Sequence, residues 1–372
     1  MRASRATCYG LGMGELSGLS VRVPSEADIP AMVRVLLRAF GTWPSFLDPR
    51  ITPEDHLRWK FDNHEIARKI HTVAEIEGRM ISVRLRLMQT ALIRGRPVLL
   101  RQAVDDAVDP EFQRRGVNRV MSDYFTDHLI TGDVAMNFST SVIAHKRLEN
   151  EYRTLGRELL VLYRALGLRA LSNFGRAGRG ERFGRRVRVR GIFRVLATAA
   201  KPRRVGPIEI HGLERFPESV DRLFERSQRE FDWILLRTAS YLNWRYAHPG
   251  AGRFSIRAAF QKDELVGYCV IRIGGPLAHI ADLLALPGRT DVADALVVDA
   301  LEIAAGSGAN AVVCWLLGDH PYFELVRGRG FIVTDSTPGC MVKNEKLEPD
   351  ALDFLDRPEA RVHLTAGDSD WV

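Results

Sequence analysis

The sequence predicts an α+β sheet sandwich, a mixed α/β architecture made twice in one chain. Three observations carry this expectation: an internal repeat, alternating apolar strands set between amphipathic helices, and a basic, glycine-rich stretch between the copies. In the repeat, LRWKFDNH (Leu57 to His64) resembles LNWRYAHP (Leu242 to Pro249) at an offset of 185 residues. The offset continues without gaps, so that Ala74 falls on Ala259, Ile81 on Val266 and Ser82 on Gly267. In each copy an aromatic–basic–aromatic triplet, Trp59-Lys60-Phe61 or Trp244-Arg245-Tyr246, precedes two alternating strands and their turn.

The elements follow in order. In the first copy a short strand at VRV leads to the helix-starting residues Ser25 to Asp28 and the apolar-periodic helix IPAMVRVLLRAF. A polar, Trp-containing stretch reaches about His64. Strands are expected near 71–76, 80–90 and 97–108, then a helix over about 114–129, a strand near 134–140 and a helix near 144–155. The second copy gives strands near 254–261, 265–273 and 278–285, a helix near 291–306, a strand at 310–317, a helix near 320–328, and strands near 331–335 and 340–344. The expected partition is a flexible leader over 1–18, a first domain over 19–164, an Arg/Gly-rich linker or insertion over 165–205 and a second domain over 206–372.

Composition narrows the class. A chain of 372 residues, 46% hydrophobic and 27% charged, can bury two cores of ordinary size. No apolar run reaches the roughly 20 residues that span a bilayer, and the N-terminus lacks the apolar middle region of a secretory signal. A cytoplasmic location is expected. The four cysteines, Cys8, Cys269, Cys314 and Cys340, form no CxxC pair; Cys269 and Cys314 lie in apolar runs and read as buried thiols. No histidine pair has metal-ligand spacing, and no metal is expected. The net charge of +7 is local: Arg164 to Arg204 holds 13 basic residues and one acid, a charge of +12 that leaves −5 for the rest. Residues 164–204 could lie on an anionic membrane surface at the inner face, follow a polyanion, or serve as a solvated linker.

The segment AVDDAVDPEFQRRGVNRVMSDYF, Ala103 to Phe125, carries the chemistry. An apolar strand ends at Val108, Asp109-Pro110 breaks it, and Gln113-Arg114-Arg115-Gly116-Val117-Asn118 opens an amphipathic helix. A helix N-terminus presents amides without internal partners and the positive end of the helix dipole. Glycine allows close approach to the backbone, and Arg114, Arg115 and Arg119 add charge. Such a turn suits a pyrophosphate. Asp105 and Asp106 lie on the strand before it and point to opposite faces, with Asp106 sharing a face with Val104 and Val108. Either carboxylate could accept a proton, Asp106 being the leading candidate.

The strand, the turn with Gln113 and Gly116, and the upstream Val-Asp-Pro resemble the GNAT superfamily of acyl-CoA-dependent N-acyltransferases, in its tandem bacterial form. The pattern departs at Asn118, where that family has Gly or Ala; Asn tolerates unusual backbone angles. HKRLENEYRTLGR, His145 to Arg157, resembles the family's later helix, matching at Tyr152, Leu155 and Gly156 and differing at His145, Leu148 and Arg157. The resemblance implies that acyl-CoA, acetyl-CoA in the first instance, binds through Ala107, Val108, Gln113, Arg114, Arg115, Gly116, Val117, Asn118 and Arg119. It further implies that Tyr152 protonates the departing thiolate and that the acceptor is a primary amine of a small molecule or sugar. The strand near 134–140 would splay from its partner to admit the pantetheine arm.

The second copy keeps the strand, in HIADLLALPGRTDVADALVVDAL, but has no Gln-x-x-Gly-x-Gly; Asp291 and Asp294 enter its helix start, and Val326 stands where Tyr152 does in the first copy. It reads as a fold-competent half without acyl-CoA chemistry. The C-terminal GDSDWV, with Asp368 and Asp370, resembles the end of tandem acyltransferases of this type and reads either as an exposed acidic tail or as a binder of a cationic amine. Two other functions use the same features: aminoacyl transfer from charged tRNA by a Fem-like protein, and a non-catalytic CoA-sensing or membrane-associated protein of the same fold. The glycine-rich stretches GLGMG and GRAGRG follow no convincing strand and read as flexible backbone.

Overall fold

The computed structural model describes residues 17–44, 48, 50–129, 132–139, 152–154, 159–167, 208–334 and 339–370. Residues 1–16, 140–151, 155–158 and 168–207 lie outside them, and with them most of the leader, of the helix expected near 144–155 and of the basic stretch expected over 165–205.

In the first half, β1 (Leu19–Arg22), β2 (Thr72–Ile76), β3 (Arg79–Ile93) and β4 (Arg96–Val108) pair antiparallel in that order, and β5 (Val134–Ser139) joins β4 in parallel. One face of this sheet is covered by α1 (Ile29–Phe40) and α2 (Pro53–Phe61), the other by α4 (Val117–His128); α3 (Glu65–Ile70) joins α2 to β2. Helix α1 buries Ile29, Met32, Val33 and Leu36, the i, i+3, i+4, i+7 stripe read from the sequence, and stops at Gly41, whose φ is +77°. Helix α2 lies where only a polar stretch was expected. Thr52 caps it by accepting the Asp55 amide, and Pro53 fills its first position. Its buried face includes His56 and Lys60, and these polar residues break the apolar period.

The second half repeats the plan. It runs through β8 (Glu209–Leu213), α5 (Ser219–Ser227), β9 (Trp233–Leu235), α6 (Ala239–Leu242, continued by a π-helical turn over Asn243–Ala247), β10 (Phe254–Gln261), β11 (Glu264–Arg272), β12 (Leu277–Ala285), α7 (Thr290–Gly306), β13 (Ala311–Leu317) and α8 (Phe323–Gly328). The repeat is visible in the backbone itself. The β2–β3 pairing slips between Ala74 and Glu75, and the β10–β11 pairing between Ala259 and Phe260, each 185 residues on. The intervening turns have both residues at positive φ, Glu77 (49°) and Gly78 (77°) against Lys262 (48°) and Asp263 (63°), as tight two-residue hairpins require. The parallel pairs also end alike: β4–β5 stops at Ala103↔Asn137 and β12–β13 at Ile280↔Cys314. The repeated tryptophans meet each other. Trp59 and Trp244 stack at 4.9 Å and 20°, and Trp59 Nε1 donates to Trp244 O at 2.9 Å.

The sheets do not follow the partition expected at residue 164. Strand β7 (Leu159–Ala165) pairs with β13, and with β14 (Ile332–Val333), in the second sheet. Strand β15 (Gly339–Asn344), late in the chain, pairs with β5 of the first sheet and with β6 (Arg153–Thr154). The halves thus exchange strands, which cover the edges of β5 and β13. β9 adds to the far end of β3, and β16 (Val362–His363) adds to β9. Cys269, Cys314 and Cys340 are buried free thiols. Among the described residues no helix is long and apolar enough to cross a membrane.

After β16 the chain turns into the second half. Residues Leu364 to Ser369 are buried and pack against both β12 and β13 beyond the point where those strands part. The fit has no slack at Gly367, where an added Cβ would lie 2.7 Å from Ala281 O and would also strike the Tyr246 hydroxyl. Gly367→Ala is therefore expected to lower stability by about 1–3 kcal/mol through overpacking. Urea unfolding checks this; an unchanged midpoint would show that the tail does not fill this gap in solution.

Candidate active site

Past Ala103 the strand β4 continues while β5 no longer pairs with it, and among the described residues no strand bonds Val104–Val108 on that edge. Asp109 N–H donates to Ile81 O across β3 at 2.8 Å. By the alternation of a strand, the amide of Val108 is directed to the opposite edge, toward the gap. Ser82 Oγ holds Ala107 O at 2.7 Å, and Gln113 Nε2 holds Val108 O at 3.1 Å. Ala107, Val108 and Gln113 are thereby brought together at the strand end.

The turn that follows is anchored from beneath. The buried carboxylate of Asp109 meets Arg38 Nε at 3.1 Å and Arg79 Nη2 at 3.0 Å, and it accepts the Glu111 amide. Gln113, Arg114, Arg115, Gly116, Asn118 and Arg119 are exposed, while Val117 is buried under the sheet. Arg114 (φ +62°) and Gly116 (φ +85°) both take left-handed backbone. Among the described residues nothing lies within 4 Å of a Cβ built on Gly116, so no described atom blocks the space before the turn. The first helical bonds, from Arg119 N–H and Val120 N–H, both go to Gly116 O, so the Val117 and Asn118 amides precede the ladder. Asn118 is already helical and needs no unusual angle; glycine is required at 116, not at 118. The free amides, the dipole and three exposed guanidiniums fit an anionic diphosphate.

The two strand aspartates depart from simple alternation. Val83 pairs with Ala107 and Leu85 with Val104, leaving Asp105 and Asp106 together opposite Arg84. This is a β-bulge, with Asp105 at φ +48°. Asp106 consequently does not share a face with both Val104, in the α1–α2 core, and Val108, in the α4 core. It turns toward α4, where Arg86 takes both oxygens (2.6 and 3.3 Å) and Arg84 lies at 3.6 Å. Asp105 turns toward α1 and α2. Its Oδ1 accepts from Trp43 Nε1 at 2.9 Å and its Oδ2 from Lys60 Nζ at 2.7 Å. Lys60 also meets Asp370 at 3.3 Å. Lys60 is a site residue that sequence reasoning did not single out, whereas Asp370 was read there as part of an exposed acidic tail or as a binder of a cationic amine and here meets the Lys60 ammonium. The repeated triplet pointed at Lys60, and the acidic end of the chain pointed at Asp370.

Tyr152 is not helical. It immediately precedes β6, which β15 holds in extended form, because the incoming strand supplies a ladder that a helix could not use. Lys343 Nζ lies 5.9 Å from its ring, and Arg101, Glu345 and Arg86 act on it electrostatically. Burial raises its hydroxyl above the ordinary phenol value, with Arg101 opposing, so the group is protonated at neutral pH.

The corresponding place in the second half is closed. Asp282 stands where Asp105 does, with Arg237 at 3.3 Å, Tyr268 Oη at 3.1 Å and His363 at 3.6 Å. Arg237 bonds Asp368 of the inserted tail at 2.6 and 2.8 Å. At the start of α7, Arg289 is tied to Asp291 and to Gln261, and Asp294 pairs with Arg329. No cationic helix end is left for an anion. Two grooves elsewhere, of about 590 and 730 Å³, share Arg50, Ile51, His248 and Pro249 on their walls and do not include the Gly116 turn.

No family model matches the chain, and no curated protein matches its sequence. Solved structures do. N-myristoyltransferase of Saccharomyces cerevisiae with bound myristoyl-CoA superimposes at TM-score 0.62 and 12% identity, covering 97% of this chain and 92% of that one. A GCN5-related N-acetyltransferase of Anabaena variabilis gives 0.56 and 11%, over 88% and 72% of the two chains. A probable N-acyltransferase of Enterococcus faecalis gives 0.58 and 12%, over 89% and 74%. At such identities the likeness is one of fold. The chain has the α+β fold of these acyltransferase structures, in two copies of which only the first ends its strand in a glycine-capped turn with exposed arginines.

Proposed function

We propose that this protein is an N-acyltransferase that moves an acyl group, acetyl in the first instance, from acyl-CoA to a primary amine of a small molecule or sugar in the cytoplasm. The observation that carries the reading is the open, Gly116-capped turn at the end of a strand whose neighbour has departed. The diphosphate would meet the amides of Val117 and Asn118 and the cations of Arg114, Arg115 and Arg119. The gap-side edge of β4 at Ala107 and Val108, above all the Val108 amide, would hold the pantetheine arm by strand-type hydrogen bonding. The amine nitrogen attacks the thioester carbonyl, the C–N bond forms, the C–S bond breaks, and the sulfur leaves with the bonding pair. Tyr152, kept protonated by burial, supplies the proton to that sulfur. The engagement of both Asp106 oxygens by Arg86 favours proton acceptance on the opposite face, at the Lys60 cluster.

Gly116→Glu should weaken acetyl-CoA binding at least 30-fold, by placing a carboxylate in the open space and an L side chain at φ +85°. Calorimetric titration checks this, with myristoyl-CoA run in parallel to set the acyl length. Unchanged affinity would sink the reading. Wild-type protein should bind one equivalent of acetyl-CoA, since the second gap holds the tail. Tyr152→Phe should lower kcat about 10–100-fold in an assay with acetyl-CoA and spermidine, glucosamine or ethanolamine, while leaving acetyl-CoA affinity within twofold.

A further inference from the structure

We propose that the acceptor is an amino sugar, and that its hydroxyl groups are recognised by a buried amide pair, Gln89 and Gln102, set on the Lys60 side of the first sheet where the two halves meet. The inference rests on the acyltransferase reading and narrows its acceptor from any primary amine to one carried on a neutral, hydroxyl-rich ring.

Strand alternation places the pair. Leu85 and Leu87 on β3 and Val104 on β4 belong to the core under α1 and α2. Gln89 and Gln102 lie two residues further along those strands and so share that face. The register sets Gln102 opposite Leu87 and Gln89 opposite Leu100. Across this diagonal Gln89 Nε2 donates to Gln102 Oε1 at 3.2 Å. Leu100 and Ala91, which follow, belong to the core that the second half dominates. From the second half Trp244 packs on the first core, with the Tyr241 ring 5.8 Å from its own. Gln102 stands three residues before Asp105, about 10 Å along a strand. The amide pair and the Lys60–Asp105 pair thus share one face, on either side of the point where β5 leaves β4.

The pair is incomplete by itself. Gln89 is 5% exposed and Gln102 0%, yet among the described residues nothing bonds Gln89 Oε1 or Gln102 Nε2. Exchanging both amides end for end leaves the same complement, one acceptor and one donor. The Tyr241 hydroxyl and Trp244 Nε1 are likewise buried without a bond among the described residues. Burial raises that hydroxyl above the ordinary phenol value, so it stays neutral. Buried polar atoms without partners carry their full desolvation cost. The fold does not demand this one. In the second half His279 stands where Gln102 does, one residue before the last parallel pair, and β11 ends at Arg272, short of Gly274, which the 185-residue offset sets against Gln89. The chemistry of the unmet atoms is that of hydroxyl recognition, since a hydroxyl both donates and accepts. A second ammonium has no such match. The carboxylates of the two buried clusters are engaged, Asp105 by Trp43 and Lys60, Asp370 by Lys60 and Asp368 by Arg237. An added cation there would be desolvated without a counter-ion of its own. The face therefore selects a sugar against a polyamine.

Ligand-observed NMR titration of the full chain without acetyl-CoA tests this. Glucosamine should bind about 30-fold tighter than ethanolamine or spermidine. In the double variant Gln89→Leu with Gln102→Leu, glucosamine affinity should fall about 30-fold, to the level of ethanolamine. Acetyl-CoA affinity should be unchanged, and the thermal midpoint equal or higher, because both members of the pair are replaced together. Gln102→Glu supplies a carboxylate and should move the preference toward spermidine by about tenfold. Equal affinity for the three amines in wild-type protein overturns the proposal. So does an undiminished glucosamine preference in the double variant; if its midpoint also falls, the pair is a structural one met by water. Failure of acetyl-CoA to bind, or of any amine to be acetylated, strikes the acyltransferase reading instead. The sugar titration is read without acetyl-CoA and still decides the role of the amide pair.

Discussion

Two parallel strands that part while both continue leave backbone donors and acceptors facing a gap. Buried polar groups of that kind have to be met by something. The fold makes such a gap twice, past Ala103 and past Ile280, and the two gaps are handled differently. The second is filled by the chain's own tail, packed so closely at Gly367 that a methyl group has no room. The first has no described strand on the edge of Val104–Val108, and a turn of exposed arginines stands at its mouth. The two gaps thus differ in what occupies them rather than in whether they exist.

The difference in occupancy is matched by a difference in cation. In each half a carboxylate on the bulged strand is buried near a tail carboxylate, and an unpaired charge there would cost several kcal/mol. Arg237 meets this with a planar fork, permanently charged and sealed from solvent. Lys60 meets it with a point charge that two aspartates divide unequally, at 2.7 and 3.3 Å. The first arrangement favours rigidity. The second leaves Asp370 with the longer of the two bonds to Lys60.

Much of the fold was legible because the repeat is exact in register. The slip at Ala74 and at Ala259, and the paired positive-φ turns, reproduce in the backbone the 185-residue offset read from side chains. The Gln113–Arg119 turn was legible for a local reason, since a strand end, a glycine and a helix start are adjacent in the chain. Helix α2 was hidden because His56 and Lys60 occupy its buried face and spoil the apolar period. The bulge was hidden because Asp105 and Asp106 look like ordinary alternation until Arg84 is found opposite both. Asp370 lies 310 residues from Lys60, and no periodicity connects residues that far apart.

The exchanged strands explain how a half with a closed gap still matters to the other half. The first sheet is completed by β15, and the nearly buried side chain of Arg101 on β4 is paired at 2.5 Å with Glu345, just beyond that strand. Remove the second half and Arg101 is left buried without its partner, at a cost of about 3–5 kcal/mol, while β5 becomes a raw edge. Lys60 would lose Asp370 at the same time. The first half is therefore not a self-sufficient domain that happens to be followed by a silent copy. The silent copy supplies a strand, an ion-pair partner and a carboxylate to its neighbour's site, and those contributions constrain its sequence even though its own turn, with Arg289 tied to Asp291, offers no cationic end to an anion.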